Sequence, residues 1–250
     1  MPVVDYSKIW CLNHHMATLI VDIETVGESW EDIDTETQEL LIDRVKKYPN
    51  YSEQSDPKAI AEEMLGLQPF TGRIVVIGAY DLTSKKSVVW FDNEGSSTES
   101  VEEGDDKFLP AGEKEMLEKF WALATRYTHF VTYSGRSLDM PFLLLRSAIH
   151  GIKPTKDLMR ARYLYQQSPE AQHIDLYEQL SFYGAVSRLG GLHLACRAFG
   201  ITTPKDGEIN GSKVGQFFKD KKYLDIARYN ARDLASTAEL YEKWKQFLAF

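Results

Sequence analysis

The chain has 250 residues, 43% of them hydrophobic, and a formal net charge of −8. This length and apolar content suffice for one sizeable core, so we expect a single domain over residues 1–250. No uncharged apolar run reaches about 18 residues, and the first residues lack a basic segment followed by an apolar one. The composition therefore predicts a cytoplasmic protein with neither a membrane span nor a signal peptide.

The first predicted element is a strand that ends in two acids. The β-branched and apolar residues 18–21 lead into Asp22-Ile23-Glu24. Side chains alternate across a strand, so Asp22 and Glu24 share one face and Ile23 points to the opposite, packed face. Two carboxylates this close repel each other unless a cation lies between them.

The connection after this strand, residues 28–72, is too long for an ordinary loop. Its pattern predicts an insertion with two helices, near residues 37–47 and 57–65. Such an insertion could shape a substrate channel, narrow the entry to single strands or cover an edge of the sheet. The sequence leaves these three roles open.

An acidic segment follows a predicted hairpin of residues 73–82 and 87–91. Residues 92–106 hold seven acidic and no basic residues, which is nearly all of the net charge of −8. Glycine and serine among the acids predict a solvated loop before a helix over residues 113–127. The negative total therefore does not exclude a nucleic acid as ligand. Basic residues that could contact phosphates cluster in two other places: Lys153, Lys156, Arg160 and Arg162, then Lys213, Lys219, Lys221 and Lys222.

A third acid, Asp139, follows a second buried strand. The strand begins at His129 and leads through Gly135 into an apolar helix over residues 138–149, with Asp139 in its first turn. An aspartate there is by itself typical of a residue that stabilises a helix N-terminus. Its place in chain order with the other acids favours a metal ligand.

The C-terminal third contains the last candidates. The segment from His173 predicts a strand entering a helix that Asp175 caps, and residues 189–199 predict a helix that stops at Gly200. The final helix, residues 224–248, places Tyr229 and Asp233 four apart, hence on one face. A phenol and a carboxylate stacked in this way can serve one site.

Three motifs in this order resemble the DEDD superfamily of 3′-5′ exonucleases in its tyrosine subclass. Residues 22–25 are similar to the first motif, Asp139 with Pro141 and Phe142 to the second, and residues 229–233 to the third. Over about residues 16–248 the chain most resembles the predicted stand-alone exonucleases related to the proofreading domain of family-B DNA polymerases. Ser134 and Leu138 replace the asparagine and phenylalanine usual in the second motif, which affects contacts with the substrate end rather than with metal.

The resemblance implies an α/β fold of the ribonuclease H-like (DnaQ-like) type, with a central mixed sheet of about five strands flanked by helices. It also implies a metal-dependent 3′-5′ exonuclease acting on DNA through two ions, Mg²⁺ or Mn²⁺, which hard oxygen ligands favour. Asp22 would bridge both ions, Glu24 and Asp233 would complete the water-activating site, Asp139 would hold the second ion, and Tyr229 would orient the nucleophile.

The residues leave two alternatives open. Related enzymes trim RNA with the same four acids, because the surrounding pocket and not the metal reads the 2′-hydroxyl, so a 3′-5′ exoribonuclease is the first alternative. The second is a non-catalytic nucleic-acid-binding or scaffolding domain. We expect the partner to be a nucleic acid with a free 3′ end, namely single-stranded or frayed DNA or, for the first alternative, RNA, and we expect no membrane partner. A polymerase or helicase partner is not indicated either way.

Overall fold

The computed structural model describes residues 17–96, 99–201 and 209–249. Its sheet has seven strands in the order β4-β5-β3-β2-β1-β6-β7. The strands are β1 Thr18–Gly27, β2 Gly72–Asp81, β3 Lys86–Phe91, β4 Val101–Glu103, β5 Asp106–Pro110, β6 His129–Thr132 and β7 Gln172–Asp175. β1, β2 and β3 pair antiparallel, as do β4 and β5, whereas β3 and β5, β1 and β6, and β6 and β7 pair parallel. The predicted mixed sheet is confirmed, with seven strands where about five were expected.

Helices cover both faces of this sheet. They are α1 Thr35–Lys46, α2 Pro57–Met64, α3 Glu113–Ala124, α4 Asp139–Ile149, α5 Leu176–Leu180, α6 Leu192–Ala198, α7 Val214–Lys219 and α8 Tyr223–Phe247. One core packs α6, α7 and α8 against the face that carries Ile20 and Val26 of β1. The other packs α3 and α4 against the face that carries Ile23. Alternation along β1 therefore sends successive side chains into different cores.

The insertion forms the two helices that its pattern predicts, α1 and α2. They pack on each other through a small core of their own, which includes Trp30, Val45 and Leu65. The insertion is fastened to the end of β1, where Thr25 Oγ1 donates to the Gly66 carbonyl at 2.6 Å. A side chain at Gly27 would lie 2.5 Å from Leu65 Cβ, so this close approach requires glycine.

The acidic segment 92–106 is not simply the predicted solvated loop, because it contains β4 and the first residue of β5. Some of its carboxylates pair with arginines of other elements. Arg73 pairs with Asp92, and Arg228 Nη2 lies 2.6 Å from Glu103 Oε1. Charged side chains suit an edge strand, since they discourage pairing with another chain. The number of charges in the sequence did not predict these ion pairs.

Candidate active site

The two acids of β1 lie beyond its pairing with the neighbouring strand β6. The parallel pairing with β6 runs from Thr18 to Ile20, so Asp22 and Glu24 extend beyond that pairing. On the other side, β2 stays paired, and its register shifts between Glu24 and Thr25. Such bulges re-aim side chains and are common beside active sites. Asp22 and Glu24 lie on the same face as Ile20 and Val26, which is the face that α8 covers.

Three of the predicted carboxylates come together at this point. One oxygen each from Asp22, Glu24 and Asp233 lies within 4.8 Å of the other two. Asp139 is outside this group of three but adjoins it, because its Oδ1 accepts a hydrogen bond of 3.2 Å from the backbone N–H of Ile23, between the two acids of β1. The structure therefore gathers all four acids around one short stretch of β1.

The acids share an environment that disfavours negative charge. Burial raises the pKa of Asp22 and of Glu24 well above the ordinary range, and the neighbouring carboxylates raise both pKa values further. Burial is also the main cause that raises the pKa of Asp139 to about 7. Burial raises the pKa of Asp233 as well, opposed by its hydrogen bond with Tyr229. A cation would relieve this repulsion, whereas without one some of these groups hold protons at neutral pH.

Tyr229 lies one helical turn before Asp233, as predicted. Its hydroxyl hydrogen-bonds with the Asp233 carboxylate, and burial together with Glu24 and Asp233 raises the pKa of the phenol. The Arg232 guanidinium stands 5.9 Å from the centre of the Tyr229 ring. The phenol therefore stays protonated at neutral pH and can donate a hydrogen bond but cannot act as a base.

Asn230 belongs to the candidate site, although no sequence motif pointed to it. It is fully buried, and its Nδ2 donates to Asp22 Oδ2 at 2.7 Å. It fits between α8 and β2 because Gly78, the partner of Asp22 in β2, has no side chain. A Cβ at Gly78 would lie 1.8 Å from Asn230 Oδ1. Two signals could have revealed the contact: a polar residue in the apolar stripe between Ile226 and Leu234, and a glycine inside a predicted strand.

Asp175 caps α5, as predicted, by accepting from Tyr177 N–H at 2.9 Å. It has a second role, because it also accepts from the backbone N–H groups of Ser134 and Arg136, each at 2.9 Å. These residues belong to the loop that precedes Asp139, and Ser134 adopts a φ of 62° there. Asp175 therefore holds the loop that delivers Asp139 to the site.

A family model described as a predicted 3′-5′ exonuclease related to the exonuclease domain of PolB matches residues 71–249. The chain belongs to this family. The resemblance that the three motifs suggested is thereby confirmed, and the protein is an enzyme of the exonuclease class. The matched range of this PolB-related exonuclease contains Asp139, Tyr229 and Asp233 and begins after Asp22 and Glu24.

Among solved structures, the PolB-related exonuclease is similar to the family B DNA polymerase from the hyperthermophilic archaeon Pyrobaculum calidifontis. The TM-score is 0.55 at 19% sequence identity, and the match covers 93% of this chain and 25% of the polymerase chain. At this identity the likeness shows the fold, which is consistent with the predicted ribonuclease H-like type. A search of curated proteins found no match. Among the described helices, none is both long and apolar enough to span a lipid bilayer.

Proposed function

We propose that this exonuclease removes nucleotides from the 3′ end of DNA with the help of two bound Mg²⁺ or Mn²⁺ ions. The observation that carries the proposal is the meeting of Asp22, Glu24 and Asp233 within 4.8 Å, with Asp139 hydrogen-bonded to the strand between them. We take the sheet and its helices as a single exonuclease domain, with residues 28–72 as an insertion. Single-stranded or frayed ends are the proposed substrate, and RNA is the alternative polymer.

The donor set fits hard divalent cations. Every candidate ligand is a carboxylate oxygen, which suits Mg²⁺ or Mn²⁺. Four carboxylates match the four positive charges of two such ions, and the raised pKa values of the acids indicate a site that is strained without them. When bound, the ions would polarise the phosphodiester and make water more acidic.

The chain's own groups would hold and orient the reactants. Asn230 fixes the position of Asp22 through its hydrogen bond, so that Asp22 can serve as the shared ligand at the centre of the cluster. Glu24 and Asp233 flank it, and the protonated Tyr229 hydroxyl, beside Asp233, would donate a hydrogen bond to the attacking water or to a phosphate oxygen. Asp139 lies at the start of α4, on one side of the cluster. There it would hold the second ion near the leaving 3′ oxygen.

The test is a gel time course with 5′-labelled single-stranded DNA and RNA of one sequence, in Mg²⁺, Mn²⁺ or EDTA. We expect a ladder that shortens from the 3′ end, requires the metal and forms faster on DNA. A faster ladder on RNA would replace DNA by RNA as the substrate. No ladder on either polymer in either metal would overturn the catalytic proposal in favour of a binding or scaffolding domain.

We expect Tyr229→Phe to slow the reaction about fivefold without abolishing it, because the change removes one neutral hydrogen bond worth about 1 kcal/mol. The ring under Arg232 is kept. The measurement is kcat at saturating substrate. A loss as large as that of a variant lacking a metal ligand would mean that the hydroxyl does more than orient the nucleophile.

We expect metal binding to tighten with pH, because only ionised carboxylates bind the cation. With a pKa of about 7, Asp139 is largely protonated at pH 6 and ionised at pH 8. The Kd for Mn²⁺, measured by calorimetry, should therefore be about tenfold lower at pH 8 than at pH 6, because the ionised fraction of Asp139 rises about tenfold over this range. In Asp139→Asn the pH dependence should shrink, and an equal dependence in both proteins would assign the proton to another group.

A further inference from the structure

A cluster of exposed aromatic side chains lies outside the carboxylate site. The rings of Tyr163 and Tyr165 stack, with centroids 5.9 Å apart and planes at 21°. Tyr165 is 82% exposed, and Phe182, which is next to Tyr183 in the chain, is 56% exposed. Tyr183 packs edge-on against Tyr163 at 4.8 Å and joins the two chain segments. We call Tyr163, Tyr165, Phe182 and Tyr183 the aromatic surface. Exposed aromatic groups of this kind mark binding sites more often than chance.

Hydrogen bonds hold one part of the aromatic surface in place. Phe182 and Tyr183 have φ values of 49° and 56°, a region that bulky residues rarely adopt. Hydrogen bonds hold this conformation. The Tyr183 hydroxyl accepts from Gln179 Nε2 at 2.9 Å, and the Tyr183 backbone carbonyl accepts from Arg162 Nη2 at 3.2 Å. The Tyr183 ring, against which Tyr163 packs, is therefore ordered before a ligand binds and loses little further entropy.

The part of the chain that carries the aromatic surface has a positive net charge, although the whole chain carries −8. Between residues 140 and 201 the sequence has seven Arg and Lys and four Asp and Glu residues. Lys153, Arg160 and Arg188 are exposed in this part of the chain. Basic groups interleaved with exposed rings are the pattern of surfaces that bind single-stranded nucleic acids, where cations follow the phosphates and rings stack on bases.

The aromatic surface is linked to the carboxylate site through the loop before Asp139. Arg136, three residues before Asp139, donates through Nη1 to the Ala161 carbonyl at 3.0 Å. Glu178 lies between Arg136 Nε at 3.8 Å and Arg162 Nε at 2.8 Å. The loop that delivers Asp139 is therefore bound directly to the segment that precedes Tyr163.

We propose that the aromatic surface binds the unpaired bases of a single strand upstream of its 3′ end, with Tyr165 and Phe182 as the stacking rings and Arg160 and Arg188 near the phosphates. This inference rests on the proposed function and adds to it the surface that binds the unpaired strand several nucleotides from its 3′ end. The positive charge favours a polyanion over a protein partner, which an exposed apolar patch alone would not decide.

The test compares Tyr165→Ala, Tyr165→Phe and Phe247→Ala with the wild type. Tyr165 is largely exposed, so its replacement should leave the fold intact. Phe247 is the matched control, since it is 61% exposed and stands about 20 Å along α8 from Asp233. Affinity is measured in EDTA by the fluorescence anisotropy of 5′-fluorescein-labelled oligothymidylate and oligouridylate of equal length.

We expect Tyr165→Ala to raise Kd about tenfold, the loss of one stacked base, while Tyr165→Phe, which keeps the ring, and Phe247→Ala match the wild type. The oligomer with the larger effect identifies DNA or RNA as the strand that stacks. Equal Kd values for all four proteins would overturn the inference even if the wild type trims 3′ ends. A change of mass by light scattering in Tyr165→Ala, with oligonucleotide affinity unchanged, would make the surface a protein contact and overturn it as well. Absence of both trimming and binding in the wild type would instead refute the proposed function.

Discussion

Asp22→Ala is expected to lower the rate of 3′-end removal on the order of 10³-fold or more, because it takes away the ligand at the centre of the acidic cluster. Asp22 is one of the three carboxylates within 4.8 Å and receives the Asn230 hydrogen bond. The measurement is the initial rate of shortening of a 5′-labelled strand in Mg²⁺, with the same variant melted in EDTA to check its fold.

The same change should not weaken the metal-free protein. Burial and three neighbouring carboxylates raise the pKa of Asp22, so its ionised form is unfavourable in the folded state. A raised folded-state pKa means that this acid lowers stability as pH rises, and Asp22→Ala should therefore keep or raise Tm in EDTA at neutral pH. The rise of Tm on adding Mn²⁺ should largely disappear.

Glu242→Ala is the matched control, since Glu242 is an exposed acid on α8. It should keep both the wild-type rate and the Mn²⁺-dependent rise in Tm. Near-normal activity in Asp22→Ala would show that the assignment of the metal site is wrong. A large decrease in the Tm of Asp22→Ala in EDTA would show that Asp22 stabilises the fold more than its repulsion with the neighbouring carboxylates destabilises it.

Gly78→Ala is expected to damage stability and activity together, although Gly78 bears no functional group. Its Cβ would lie 1.8 Å from Asn230 Oδ1 and 2.7 Å from Leu234 Cδ1. Since Asn230 is fully buried, relief requires a shift of α8 away from β2 or a displaced amide. Overpacking of this kind costs about 1–3 kcal/mol of unfolding free energy.

Activity should fall because the displaced Asn230 no longer holds Asp22 at 2.7 Å and because α8 also carries Asp233. Denaturant unfolding and the 3′-end assay measure the two effects. Gly215→Ala is the matched control: it adds the same methyl group inside α7, where nothing lies within 4 Å, and should stabilise slightly. Wild-type behaviour of Gly78→Ala in both assays would contradict the close packing of α8 on β2.

The sequence alone located those features that depend on local backbone geometry. The period of a strand places Asp22 and Glu24 on one face, and the structure puts both on the face that α8 covers. The period of a helix places Tyr229 one turn from Asp233, and the predicted cap at Asp175 is confirmed. These relations hold within a few residues, where the chain's own geometry decides them.

Tertiary structure alone decided the contacts between distant segments. The Asp139 contact with Ile23 joins residues 116 apart in sequence, and the Asn230 contact with Asp22 joins residues 208 apart. The pairing of β3 with β5, which helps to enlarge the sheet to seven strands, likewise joins strands that lie before and after most of the acidic segment 92–106. Each of these contacts depends on which elements pack together. The free energy of packing arises only in the assembled core, so the hydrophobic period of a single segment does not predict it. The residue types of the site could therefore be found from the sequence, whereas their spacing, the role of Asn230 and the need for glycine at position 78 followed only from the fold.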